Sequence, residues 1–67
     1  MNSATMKVLG IFRRYRVGPG EMLFIHNLDH APQVAMAKLI SDGLVLKERA
    51  KNAYCLTNTG FAAVQSL

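Results

Sequence analysis

The chain has one cysteine, two prolines and four carboxylates in 67 residues. A single cysteine, Cys55, excludes an internal disulfide. It fits a reducing, cytoplasmic setting, where Cys55 is a small strand residue and not half of a staple. No apolar run approaches the roughly 20 residues needed to cross a bilayer, so no membrane role is expected. The apolar stretch between Lys7 and Arg13 is too short for a secretory leader and has no cleavage-like pattern. Repeats and low-complexity segments are also missing. Glu21, Asp29, Asp42 and Glu48 are scattered. With no Ser, His and Asp grouping in a motif, nothing predicts an enzyme. The GPG at 18–20 lacks the lysine and spacing of a phosphate-binding loop, and no cofactor is expected.

What remains is a single small domain over residues 1–67 with much apolar surface to hide. Hydrophobic residues make up 51% of the chain. A domain of this size buries only about 60% of its unfolded surface. Some apolar surface is therefore expected to end in a subunit or partner interface, a homodimer or a protein partner. The net charge is +4, which favours anionic partners. Its distribution says more than the sum. Arg13, Arg14 and Arg16 form one cluster, and Lys47, Arg49 and Lys51 form another.

Residues 3–16 read as an amphipathic helix. Ser3 is its N-cap, and Val8, Ile11, Phe12 and Tyr15 form one apolar stripe. Its terminal arginines complement the helix dipole. VGPG at 17–20 breaks it. EMLFIHNL at 21–28 fits a buried strand or a short helix. Glu21 in a first turn and the helix formers Met22 and Leu23 tilt the reading to a helix, with Phe24, Ile25 and Leu28 facing the core and Met22 or Leu23 partly exposed.

Asp29 or His30 then caps a helix over 32–42, with Pro32 at its first position and Gly43 just beyond its end. Ala35, Met36, Leu39 and Ile40 share its inner face. Gln33, Ala37, Lys38 and Ser41 lie largely on the other. LVLKER at 44–49 and AYCLT at 53–57 read as two strands of a hairpin turning at Ala50-Lys51-Asn52, where Asn52 tolerates a positive φ. Tyr54 and Leu56 point to one face and Cys55 to the other. Thr57 or Asn58 caps a last short helix with Phe61, Val64 and Leu67 on its apolar side. His26, Asp29 and His30 have a spacing that holds zinc on a continuous helix, but the helix is expected to end near Leu28. Cys55 would be a lone, distant fourth ligand, so no metal site is expected.

Two stretches carry a resemblance. LISDGLV at 39–45 resembles the L-x-x-x-G-L-V that closes the recognition helix of winged helix-turn-helix regulators. YCLTNTG at 54–60 resembles the LT-x-x-G that follows their wing. The order and spacing of the two also match, and the likeness covers roughly residues 20–60. It is best to small regulators of the MarR, ArsR and PadR type. The resemblance implies a mainly α fold with a small β-hairpin: a three-helix core, a wing and a short C-terminal helix.

It further implies a DNA-binding transcriptional regulator, a repressor of phage, plasmid or bacterial kind, bound to double-stranded DNA. The helix at 32–42 would enter the major groove, so that Gln33, Ala37, Lys38 and Ser41 face bases and phosphates. The hairpin 44–57 would be the wing, with Lys47, Arg49, Lys51 and Asn52 on phosphates or in the minor groove. Arg13, Arg14 and Arg16 would be secondary phosphate contacts. No arginine lies on the presumed recognition face, so base readout would rest on Gln33 and Lys38. Against the phosphate-binding role stands a plainer one, in which the hairpin charges only keep a strand edge solvated. A second function is also open: a winged-helix module that binds another regulator or a nucleic-acid enzyme instead of DNA.

Overall fold

A computed structural model describes residues 3–26 and 29–67. The elements run α1 (Ser3–Arg14), β1 (Met22–Phe24), α2 (His30–Ser41), β2 (Val45–Lys47), β3 (Ala53–Leu56) and α3 (Asn58–Gln65). Three helices thus accompany one antiparallel sheet of strand order β1-β3-β2.

α1 is amphipathic, as its spacing requires. Thr5, Val8, Leu9 and Phe12 are its buried residues, at i, i+3, i+4 and i+7. Tyr15, expected in that stripe, is instead 62% exposed. The helix stops at Arg14, two residues early, and Arg16 takes a φ of 54°. The chain therefore turns before Tyr15 can reach the core. Ser3 is the first helical residue, and the position before it lies outside the described residues.

The segment from Glu21 is a correction. It forms a strand, not a helix: Leu23 pairs with Tyr54 and Phe24 with Ala53. Four consecutive apolar residues have no period of their own, and β3 decides their state by offering partners to the backbone. The Leu56 N–H donates to the Glu21 carbonyl at 3.2 Å, and the Ile25 N–H to the Asn52 carbonyl at 2.8 Å. Glu21 begins no helical turn. Its carboxylate accepts from the Gly18 N–H at 2.5 Å and braces the turn through Pro19. Strand alternation then aims Leu23 at the core and leaves Phe24, expected inside, 52% exposed. Ile25 is buried as expected, and Leu28 lies outside the described residues. No helix is joined to α2 by a tight turn among the described residues. The helix that packs on α2 is α1, from across β1.

α2 begins at His30, with Asp29 at the cap position but without a side-chain cap bond. Pro32 is thus the third helical residue and not the first. It is tolerated there because the first N–H groups of a helix have no intrahelical acceptor. Ala35, Met36 and Leu39 are buried beneath it. Gly43, at φ 78°, ends the helix: its N–H bonds the Ile40 carbonyl at 3.1 Å and the Leu44 N–H bonds the Leu39 carbonyl at 2.9 Å.

The hairpin follows. Val45 pairs with Leu56 and Lys47 with Tyr54, and Asn52 takes the expected positive φ of 63°. Thr57 then ties the hairpin to its surroundings. Its hydroxyl accepts from the Gly60 N–H at 2.9 Å, capping α3, and lies within donating distance of the Gly43 and Leu44 carbonyls at 2.8 and 2.9 Å. Gly60 packs so closely on the Leu44 carbonyl that a Cβ would collide with it. The core is the space between these elements: Val8, Leu9 and Phe12 from α1, Leu39 from α2, Val45 and Leu56 from the sheet, and Val64 from α3.

Candidate nucleic-acid interface

A groove runs between the outer side of α2 and the hairpin. Gln33 and Ala37 line it from the helix, Lys47, Asn52 and Tyr54 from the sheet, and Ile25, Met36 and Ile40 are its apolar residues. Two of the four expected helix contacts and two of the four expected hairpin contacts therefore share one groove. The helix period brings Gln33 and Ala37 to one side, one turn apart. The register Lys47↔Tyr54 sets the sheet side. Lys38 and Ser41 are exposed on the same helix but do not line the groove.

The basic residues divide into occupied and unoccupied groups. Lys38 pairs with Asp42 at 3.2 Å across one helical turn. Such an exposed pair is worth only about 0.2–0.5 kcal/mol and exchanges readily with other partners. Lys47 folds back on its own hairpin. Its Nζ donates to the carbonyls of Glu48 and Ala50 at 3.0 and 3.2 Å and stands 5.2 Å from the centre of the Tyr54 ring. It holds the turn in shape. Asn52 lies with its Nδ2 3.0 Å from His26 Nδ1. That contact links the hairpin to the chain just after β1. Arg49 and Lys51 are exposed at the turn and make no side-chain hydrogen bond or ion pair among the described residues.

The arginine cluster at and just beyond the end of α1 belongs to another surface. Arg13 and Arg16 line a second cleft with Val17, Phe61, Val64 and Gln65, between the end of α1 and α3. Arg13 also donates to the Leu67 carbonyl at 3.3 Å. Arg14 is exposed beside them. This cleft shares no lining residue with the α2–hairpin groove.

Tyr54 is a groove residue that its type alone did not mark. Only the pairing of β2 with β3 brings it beside Lys47. His26, His30 and Cys55 do not converge: among the described residues, no group of three metal-binding side chains forms. Cys55 pairs with Met22 and Leu46, on the sheet face opposite Tyr54. That outer face is apolar and open, with Met22, Phe24 and Leu46 each more than half exposed. Among the described residues, no helix is long and apolar enough to cross a membrane. No family model, curated protein or solved structure matches the chain.

Proposed function

We propose that this chain is a small DNA-binding domain of winged-helix type that acts as a transcriptional regulator, a repressor of bacterial or phage kind. In this reading α2 lies in the major groove and the hairpin is the wing. The observation that carries it is the shared groove: Gln33 and Ala37 from the helix meet Lys47 and Asn52 from the hairpin, with Arg49 and Lys51 exposed at the turn and without an ion pair among the described residues. The division of labour follows from the contacts. Arg49 and Lys51 neutralise phosphates, Lys47 and Asn52 keep the wing in shape, and Gln33, Ala37, Lys38 and Ser41 meet base edges. Arg13, Arg14 and Arg16, on a separate surface, are at most outlying phosphate contacts. The chain works as a homodimer or with a protein partner through its open sheet face, where Met22, Phe24 and Leu46 are exposed.

The test is fluorescence anisotropy with duplex DNA from about 50 to 200 mM salt, where phosphate contacts weaken steeply. Binding is expected at the low end. Each phosphate released lowers the salt slope by about 0.9, so an Arg49→Ala/Lys51→Ala variant should lose about 1.8. Absence of any duplex binding at about 50 mM salt would sink the reading. The second reading, a module that binds another protein, would then take its place. It is favoured by the same open apolar sheet face.

A further inference from the structure

We infer that the cleft between the end of α1 and α3 is a docking site for a partner protein, which it holds by an acidic side chain set next to a large apolar one. The cleft shares no lining residue with the α2–hairpin groove, and it stands whether or not the chain binds DNA. Arg13 and Arg16 line it together. Both come from the turn that closes α1, where the Arg16 N–H donates to the Arg13 carbonyl at 3.1 Å. Val17, Phe61 and Val64 are its apolar lining.

The charge of this cleft is unmatched within the chain. Arg16 is exposed and makes no side-chain hydrogen bond or ion pair among the described residues. Arg13 gives one N–H to the Leu67 carbonyl at 3.3 Å, and the rest of its guanidinium fork stays available. Asp42 pairs with Lys38, and the Glu21 carboxylate accepts from the Gly18 N–H. Among the described residues no carboxylate forms an ion pair with either arginine. The guanidinium fork matches a carboxylate with two parallel hydrogen bonds. Arg16 also sits where its backbone is disfavoured. A φ of 54° is uncommon for a residue with a Cβ, and such outliers gather at ligand clamps.

The apolar lining decides between anions. A backbone phosphate gains nothing from Val17, Phe61 and Val64. A peptide that sets an apolar residue beside its acid uses both halves of the cleft. Size decides against a small molecule. The cleft holds about 270 Å³, below the roughly 300–1,000 Å³ of pockets that enclose one. Arg13, Arg16 and Gln65 are exposed, so the cleft surrounds no ligand on all sides. Its room suits the side chains of a larger partner, and arginine beside an apolar pocket is the composition that carries protein interfaces.

The experiment titrates the isotope-labelled protein with a short blocked peptide whose only charged and apolar residues are a central Glu-Phe pair, and follows backbone amide shifts by NMR. Shifts are expected at Val17, Phe61, Val64 and Gln65, and not at Gln33, Ala37, Lys47 and Asn52. Replacing the peptide's glutamate by glutamine should weaken binding about threefold to tenfold, the reach of one or two exposed ion pairs. Arg16→Gln in the protein should weaken it to a similar degree. Replacing the peptide's phenylalanine by alanine should weaken it at least as much. The peptide changes leave the protein intact, so they decide the matter even if the variant disturbs its turn. No cleft shifts at millimolar peptide, or equal shifts with the glutamine or alanine peptide, overturn the docking site. So does a short DNA duplex that moves the cleft amides more strongly than the peptide, which would make the arginines a phosphate surface.

Discussion

α1 and α2 end in the same hydrogen-bonded motif but with different residues at its critical position. In α2 the left-handed residue is Gly43, at φ 78°. In α1 it is Arg16, at φ 54°, with its N–H on the Arg13 carbonyl at 3.1 Å and the Val17 N–H on the Phe12 carbonyl at 3.0 Å. Glycine takes this conformation without cost, whereas a residue with a Cβ loses about 1–2 kcal/mol. The next step also differs. The Leu44 carbonyl beyond Gly43 is met by the Thr57 N–H at 3.1 Å, by the Thr57 hydroxyl and by Gly60. The end of α2 is thus fastened to both the hairpin and α3. Among the described residues, the end of α1 has one hydrogen bond to another element's end, from Arg13 to the Leu67 carbonyl, and otherwise packs beside Phe61 and Val64. The fastening contacts are concentrated where α2 meets the hairpin, and the left-handed arginine lies at the helix end that has fewer of them.

The sharpest way to break this comparison is Gly60→Ala. The added methyl would meet the Leu44 backbone, which cannot swing aside like a side chain. Overpacking commonly costs 1–3 kcal/mol, and against backbone the destabilisation should reach about 3 kcal/mol or more. Urea denaturation would measure it, and a change below about 1 kcal/mol would show that α3 can slide away from Leu44. Gly43→Ala should cost less. Left-handed strain of about 1–2 kcal/mol is offset in part by about 0.4–1 kcal/mol of reduced unfolded-state freedom, leaving a net destabilisation near 1 kcal/mol. An unchanged midpoint would mean that the end of α2 tolerates a Cβ as the end of α1 does.

The same contacts explain which parts of the fold are legible in the sequence. L-x-x-x-G-L-V and LT-x-x-G, separate motifs along the chain, are two halves of one packing device. Gly43 and Leu44 supply the carbonyls, and Thr57 and Gly60 supply the groups that meet them. Their chemistry is local, so α2, the hairpin turn at Asn52 and the Thr57 cap are legible. β1 is not, because its state depends on pairing with β3, some thirty residues away. Tyr15 departs from its expected place for a related reason: where α1 stops depends on Arg16 adopting a conformation its type disfavours. The candidate site divides the same way. The helical period puts Gln33 and Ala37 together. That Lys47 is spent on the carbonyls of Glu48 and Ala50, and Asn52 set beside His26, emerges only from sheet register.

The smallest effect is also the one of opposite sign. Arg16→Gly should stabilise the domain by about 0.5–1 kcal/mol, since it removes about 1–2 kcal/mol of left-handed strain and returns about 0.5–1 kcal/mol of freedom to the unfolded chain. A raised urea midpoint with unchanged slope would show the gain as a true stability change. A lowered midpoint would mean that the packing of Arg16 in the cleft with Phe61 and Val64 outweighs the strain. The two results separate two reasons for an arginine at this position. If the variant is more stable, the left-handed strain of a Cβ at this position outweighs what the arginine gains by packing in the cleft. In the DNA-binding reading, that more stable variant should also show a shallower salt dependence on duplex DNA, by up to about 0.9 for the one phosphate that Arg16 would otherwise neutralise.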